Sequence, residues 1–195
     1  MSGMAVLPIR TVGDPVLRTP AEPVTRFDAA LDRLVADMID TMYDAPGVGL
    51  AAPQIGVGLR VFVFDCDYDP RDLAVPRVAR TVVNPVLTIV DDGARQDGSE
   101  GCLSVPGLHF PTTRALCATV RGVDAAGAPV EYAGEGLLAR CFQHEVDHLD
   151  GMLYLQRLTG DARTAAARAL REPPPDAARV QAAGDELRAL RRAEH

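Results

Sequence analysis

Between residues 28 and 43 the apolar side chains Leu31, Leu34, Val35, Met38, Ile39 and Met42 recur every three or four positions, with polar residues between them. That period predicts an amphipathic helix lying on a core. Asp28 is placed to cap it, and Pro46-Gly47 ends it. The pattern then tightens. Residues 59–64 read as a strand, and residues 81–90 as a second, β-branched one in which Pro85 calls for an edge position or a bulge. Residues 91–98 read as a polar turn region, residues 115–123 as another strand, and residues 129–132, after a turn at Gly127, as its hairpin partner. From 136 to 150 the helical period returns, with Leu137, Leu138, Cys141, Phe142, Glu145, His148 and Leu149 inward and Gly151 just past the end. Strands followed by a late helix predict an α+β fold, antiparallel strands packed around a central helix.

The remaining segments are less periodic. Pro15, Pro20 and Pro23 make residues 12–24 extended chain and turns. Residues 47–58 are glycine-rich and apolar around a single internal amide, Gln54. After Leu158 the composition shifts: residues 159–171 are Ala/Arg-rich, Pro173-Pro174-Pro175 interrupt, and residues 176–195 are Ala/Arg/Glu-rich. Two readings stay open there, solvated helices broken at the prolines or a frayed tail. The chain thus divides into a domain over residues 1–158 and an extension over 159–195, without internal repeats.

Composition narrows the chemistry. With 195 residues, 47% of them hydrophobic, the chain can bury a core. A net charge of −7 gives no electrostatic footprint for DNA. All 20 basic residues are arginine, which excludes lysine Schiff-base chemistry and the P-loop lysine. The N-terminal stretch has no long apolar region and no run approaches a membrane span, so the expected location is cytoplasmic, without membrane contact, where thiols stay reduced. Of the four cysteines, Cys66 and Cys117 are expected in the core; His109 and His195 are expected in solvent.

The strongest chemical signal is Gln143-His144-Glu145-Val146-Asp147-His148. On a helix, residues four apart lie about 40° apart around the axis, so His144 and His148 share a face and can hold one divalent metal. Glu145, next in sequence, reaches a metal-activated water without being a ligand, which suits hydrolysis. A satisfied core pair or a surface coincidence is the bland alternative. A catalytic site of this kind needs a third protein ligand. Downstream stand only His195 and the carboxylates Glu172, Glu186 and Glu194 in the doubtful tail; upstream stands Cys102.

Three segments, Gly47 to Gln54 (GVGLAAPQ), Glu100 to Ser104 (EGCLS) and Gln143 to Gly151 (QHEVDHLDG), together resemble the signature motifs of peptide deformylases, in order and spacing. The resemblance spans roughly Leu7 to Leu158, since Gly13-Asp14-Pro15-Val16-Leu17-Arg18 also matches the family's opening, and residues 110–114 resemble its actinobacterial branch. It implies a metal-dependent hydrolase that removes the formyl group from the N-terminal formyl-methionine of nascent polypeptides. It implies Cys102, His144 and His148 as metal ligands, Glu145 as general base and then acid, and Gln54 with the backbone N–H of Leu103 as oxyanion donors. Val48 and Gly49 would pair with the substrate backbone, and Leu137, Arg140 and Cys141 would border the methionine pocket. The metal implied is Fe²⁺ in the cell, with Zn²⁺, Ni²⁺ or Co²⁺ able to take the same ligands. Co-translational work suggests a ribosome contact through the Arg-rich extension.

Glu100 and Asp147 read either as supports for the ligands, with Arg114 a partner for either, or as surface charges. Ser104 beside Cys102 has no independent His-Asp pair to make it a nucleophile. His109, where some family members carry Arg, and Glu135, where a small polar residue such as Thr is expected, bear on substrate preference. Three rivals remain: a zincin-like endopeptidase, a degenerate paralogue that binds without turnover, and a cysteine hydrolase using Cys102 with His144.

Overall fold

A computed structural model describes residues 5–69, 72, 74–89 and 93–171. The elements run α1 (Ala29–Asp44), β1 (Gly49–Ala51), β2 (Val61–Phe64), β3 (Arg80–Ile89), β4 (Arg95–Cys102), β5 (Val105–Ala115), β6 (Cys117–Val123), β7 (Pro129–Glu135), α2 (Gly136–Leu149) and α3 (Gly160–Arg171). A five-stranded antiparallel sheet has the order β1-β2-β3-β6-β7, and β4 and β5 form a separate hairpin.

The four residues of β2 explain the layering, because all are buried. Val61 and Val63 pack with Leu31, Val35, Met38 and Met42 of α1, whereas Phe62 and Phe64 pack with Ala139, Phe142, Val146 and Leu149 of α2. Successive strand side chains point to opposite faces, so one helix covers each face of the sheet. A third cluster of Leu17, Val105, Leu153, Tyr154, Leu158 and Ala166 fastens β5 and α3 behind the hairpin.

α1 begins where the periodicity predicts. The Asp28 carboxylate accepts hydrogen bonds from Ala30 and Leu31 N–H at 3.0 and 3.4 Å, satisfying donors that a helix start leaves open. α2 is stopped by Gly151, at φ +73°. A Cβ there would press on the backbone of residues 18–20 at about 3.0 Å, so only glycine suits both the conformation and the space.

Pro85 resolves to the bulge alternative: β3 is hydrogen-bonded on both sides, and its register with β6 shifts between Val83 and Val86. Asn84 sits in this bulge at φ +51°. Its side chain accepts from Val24 N–H at 2.8 Å and donates to Val24 C=O at 2.9 Å, standing in for a strand partner.

Other expectations need correction. Residues 95–98 belong to β4, not to a turn region, and residues 105–114 belong to its partner β5. Cys66 and Cys117 are half-buried and not core. Leu137 is 54% exposed, whereas Leu138 and Ala139 of the same turn pack with the sheet. Val90, the tail prolines and residues 172–195, with Glu172, Glu186, Glu194 and His195, lie outside the described residues.

Candidate metal centre

Two supports deliver the ligand set. α2 holds His144 and His148 one turn apart, their Nε2 atoms separated by 3.2 Å. The β4–β5 hairpin supplies Cys102, because its register slips between Gly101 and Cys102 and the chain turns back at once to Val105. Cys102 Sγ thereby comes within 3.2 Å of His148 Nε2. The three ligand atoms lie within 4.8 Å of one another. Separations of 3.2 Å match the edge of a tetrahedron whose centre is about 2.0–2.3 Å from each nitrogen or sulfur, so these residues fit a divalent metal.

The environment prepares the donors. Ser104 N–H points at Cys102 Sγ at 3.3 Å, as a thiolate ligand requires. His144 Nδ1 lies 2.7 Å from Glu100 Oε1, which fixes the ring with Nε2 toward the other ligands. Burial pushes the His148 imidazole well below its ordinary pKa, so it is held neutral, as a ligand must be. Burial would do the same to His144, but hydrogen bonds with Cys102 and Glu100 prevail and raise it.

Glu100 is itself held by a buried ion network. Burial alone would raise its pKa; hydrogen bonds from His144 and Arg114 reverse the sign and hold it far below the carboxylate range. Arg114 grips both Glu100 oxygens, at 2.6 and 3.1 Å, and reaches Asp147 at 2.6 Å. Arg140 adds a bond to Glu100 at 2.7 Å, and Arg157 clasps Asp147 at 2.5 and 3.1 Å. The surface-charge reading of Glu100 and Asp147 therefore fails: each residue is 4% exposed, and Arg114 serves both.

Glu145 is different. It is 3% exposed, and its Oε2 has no hydrogen-bond partner among the described residues. Burial raises its pKa to about 7, against the pull of His144 and with the push of Glu100 and Asp147. A Cβ on Gly49 would collide with this carboxylate and crowd Cys141 Sγ, which is why β1 carries glycine there.

Gln54, 1% exposed, sits in a 3-10 turn, Ala52–Ile55. Its Oε1 accepts from Ala51 N–H at 2.8 Å, so the amide turns its Nε2 donor toward Ser104 Oγ at 3.3 Å and Cys102 Sγ at 3.6 Å. Ser104 is fully buried and positions that amide.

A cavity of about 310 Å³ opens over the centre. Val48, Gly49, Gln54, Cys102, Leu103, Leu137, Arg140, Cys141, His144 and Glu145 all line it. Among the named site residues only His148 lies off its wall. Leu137 stands at the mouth, and Arg140 is tied into the ion network as well as the wall. His109, exposed as expected, also borders the cavity. Sequence reasoning missed Arg157 and the supporting role of Ser104. Neither belongs to a periodic pattern; Ser104's adjacency to Cys102 was the one available signal.

The family described as polypeptide deformylase matches residues 6–164. A peptide deformylase of Acidothermus cellulolyticus is 56% identical over 169 residues, covering 87% of this chain and 88% of its own. One of Mycolicibacterium paratuberculosis is 55% identical over 179 residues, covering 86% and 89%. A crystal structure of a peptide deformylase from Legionella pneumophila superposes with a TM-score of 0.74 at 43% identity, covering 88% of this chain and all of that one.

Proposed function

The chain belongs to the peptide deformylase family, which removes the N-formyl group from nascent polypeptides, and from that premise we propose which of its residues perform the reaction. The observation that carries the proposal is the convergence of Cys102, His144 and His148 beside a buried carboxylate, Glu145, whose Oε2 has no hydrogen-bond partner among the described residues.

Cys102, His144 and His148 would hold the metal, which when bound would supply Lewis acidity toward the attacking water and the formyl oxygen. Glu145 takes the proton from that water and returns it to the departing amine; a carboxyl near pH 7 is suited to both transfers. Negative charge develops on the formyl oxygen, where Gln54 Nε2 and the backbone N–H of Leu103 donate, an arrangement worth about 3–4 kcal/mol per donor in comparable sites. Val48 and Gly49 align the substrate backbone along β1, with Gly49 leaving room for close approach. The formyl-methionine side chain enters between Leu137, Arg140 and Cys141.

The resident metal is proposed to be Fe²⁺, in keeping with a mixed thiolate and imidazole set that also accepts Zn²⁺, Ni²⁺ or Co²⁺. Residues 1–158 are proposed as the catalytic unit, working in the cytoplasm. Among the described residues no helix is long and apolar enough to cross a membrane. The extension from 159 is proposed to contact the ribosome through its arginines. Ala166 of α3 is packed into the third cluster, so the deletion to test this contact is 172–195, with ribosome co-sedimentation as the readout.

The primary experiment measures formate release from an N-formyl-Met peptide by anaerobically purified protein, with and without a chelator. Turnover that the chelator abolishes and added metal restores supports the assignment. Chelator-resistant turnover would shift it to a cysteine mechanism at Cys102.

A further inference from the structure

Two thiols that take no part in the metal centre meet behind the cavity. Pairing of β1 with β2 sets Gly49 opposite Phe64, and Asp65 N–H donates to Val48 C=O at 2.9 Å, which brings Cys66 level with the 47–48 segment. From the other side, Cys141 Sγ on α2 lies 3.8 Å from Val48 C=O and occupies the space a side chain on Gly49 would take. Cys141 is buried in the apolar cluster between sheet and α2, Cys66 packs against that same cluster, and the nearness of Cys66 is the largest influence on the Cys141 thiol. Neither is in a disulfide. Cys66 is half-buried and open to a small oxidant; Cys141 is buried and lines the cavity.

We propose that Cys66 and Cys141 form a peroxide-oxidisable dithiol, and that its disulfide draws the Cys141 sulfur off the cavity wall and lowers turnover. The Cys66 thiolate attacks hydrogen peroxide: an S–O bond forms, the O–O bond breaks, and the displaced hydroxide leaves as water after taking a proton. The Cys66 sulfur is oxidised to a sulfenic acid. Cys141 then attacks that sulfur; the S–S bond forms, the S–O bond breaks, and the hydroxyl leaves as water with the Cys141 proton. In sum, two thiols and one peroxide give one disulfide and two waters, and an external dithiol reverses the change. The nearness of Cys66, and then burial, push the Cys141 thiol up, which suits it to be the second sulfur rather than the first.

The effect on turnover rests on the proposed role of Cys141 in the substrate pocket; disulfide formation does not. Zinc-loaded protein, whose metal has no redox chemistry of its own, is treated with graded hydrogen peroxide, digested with trypsin without reduction and mapped by mass. The expected product joins peptides 61–71 and 141–157, two hydrogens lighter than their sum, at doses that leave Cys102 in peptide 96–114 unmodified. In step with it, kcat/KM on an N-formyl-Met peptide falls about tenfold or more and recovers with dithiothreitol. Cys66→Ser and Cys66→Val keep the untreated activity and resist the same doses. Oxidation of Cys102 before any joined peptide forms overturns the proposal. Joined peptides with unchanged kcat/KM, or a Cys66→Val variant as peroxide-sensitive as the parent chain, also overturn it.

Discussion

The two helices that cover the sheet are near equals in length and amphipathic pattern, yet they bury different chemistry. α1 puts Leu31, Val35, Met38 and Met42 into the core, with Thr41 as its one fully polar buried side chain. α2 puts in Ala139, Phe142, Val146 and Leu149, but also Arg140, Gln143, Glu145, Asp147 and His148. α1 holds the fold through apolar area and a good cap. α2 has an N-cap, Glu135, whose side chain makes no capping bond, and relies on partners from other elements: Arg114 and Glu100 from the hairpin, Ala115 for Gln143, and Arg157 beyond it. One helical stripe can therefore be a floor or a workbench. What separates them is what their buried polar groups do: on α2, among the described residues, Glu145 Oε2 and His148 Nδ1 are buried without a hydrogen-bond partner, and both residues are assigned to the chemistry.

The sharpest way to test that contrast is to spoil α2 without unfolding it. Glu145→Gln should lower kcat/KM by about 10²–10⁴-fold, while the melting temperature holds or rises, since a buried carboxylate is removed. A fall in activity matched by a fall in melting temperature would mean that Glu145 is structural. Arg114→Met should cost about 3–5 kcal/mol in denaturant unfolding, because Glu100 and Asp147 remain buried without their shared cation, and it should also speed metal loss to a chelator. Met38→Ala on α1 should cost about 2–5 kcal/mol through the cavity left, with the metal dissociation rate unchanged. If it instead released metal as Arg114→Met does, the two helices would not be separable.

The smallest effect lies at the α1 cap. The Asp28 carboxyl is held below its ordinary value of 3.8 by the N–H groups of Ala30 and Leu31. A lowered folded-state pKa means its contribution is present above the unfolded value and lost as pH falls through the folded one. Asp28→Ala should therefore lower the melting temperature at pH 7 by about 2–4 °C, and the gap should narrow as pH falls past the unfolded value and close below the folded one. A gap that persists there would assign the effect to something other than the charged cap.

The same contrast explains what was legible in the sequence. His144, His148 and Glu145 were readable because the helical period alone fixes their relation. α1 was readable for the same reason. Cys102 needed the family's motifs, since nothing local says that a polar, glycine-bearing segment turns back to meet a helix 40 residues on. The β4–β5 hairpin was missed because its side chains face an ion network instead of an apolar core: Glu100 and Arg114 alternate inward where a strand pattern expects Val or Ile. Leu137 was misplaced because periodicity gives a face, not the open cavity that this side chain borders.

The bulge at Asn84 has a consequence for how the chain ages. Asn84 is the sole asparagine in the sequence. Asparagine deamidates when the backbone nitrogen of the following residue attacks the side-chain amide carbon to close a succinimide ring. Here that nitrogen belongs to Pro85 and has no proton to lose. The amide that ties Val24 to the sheet is thus shielded from the commonest spontaneous lesion of its residue type, and with no second asparagine in the chain, deamidation by that route is closed to the whole protein.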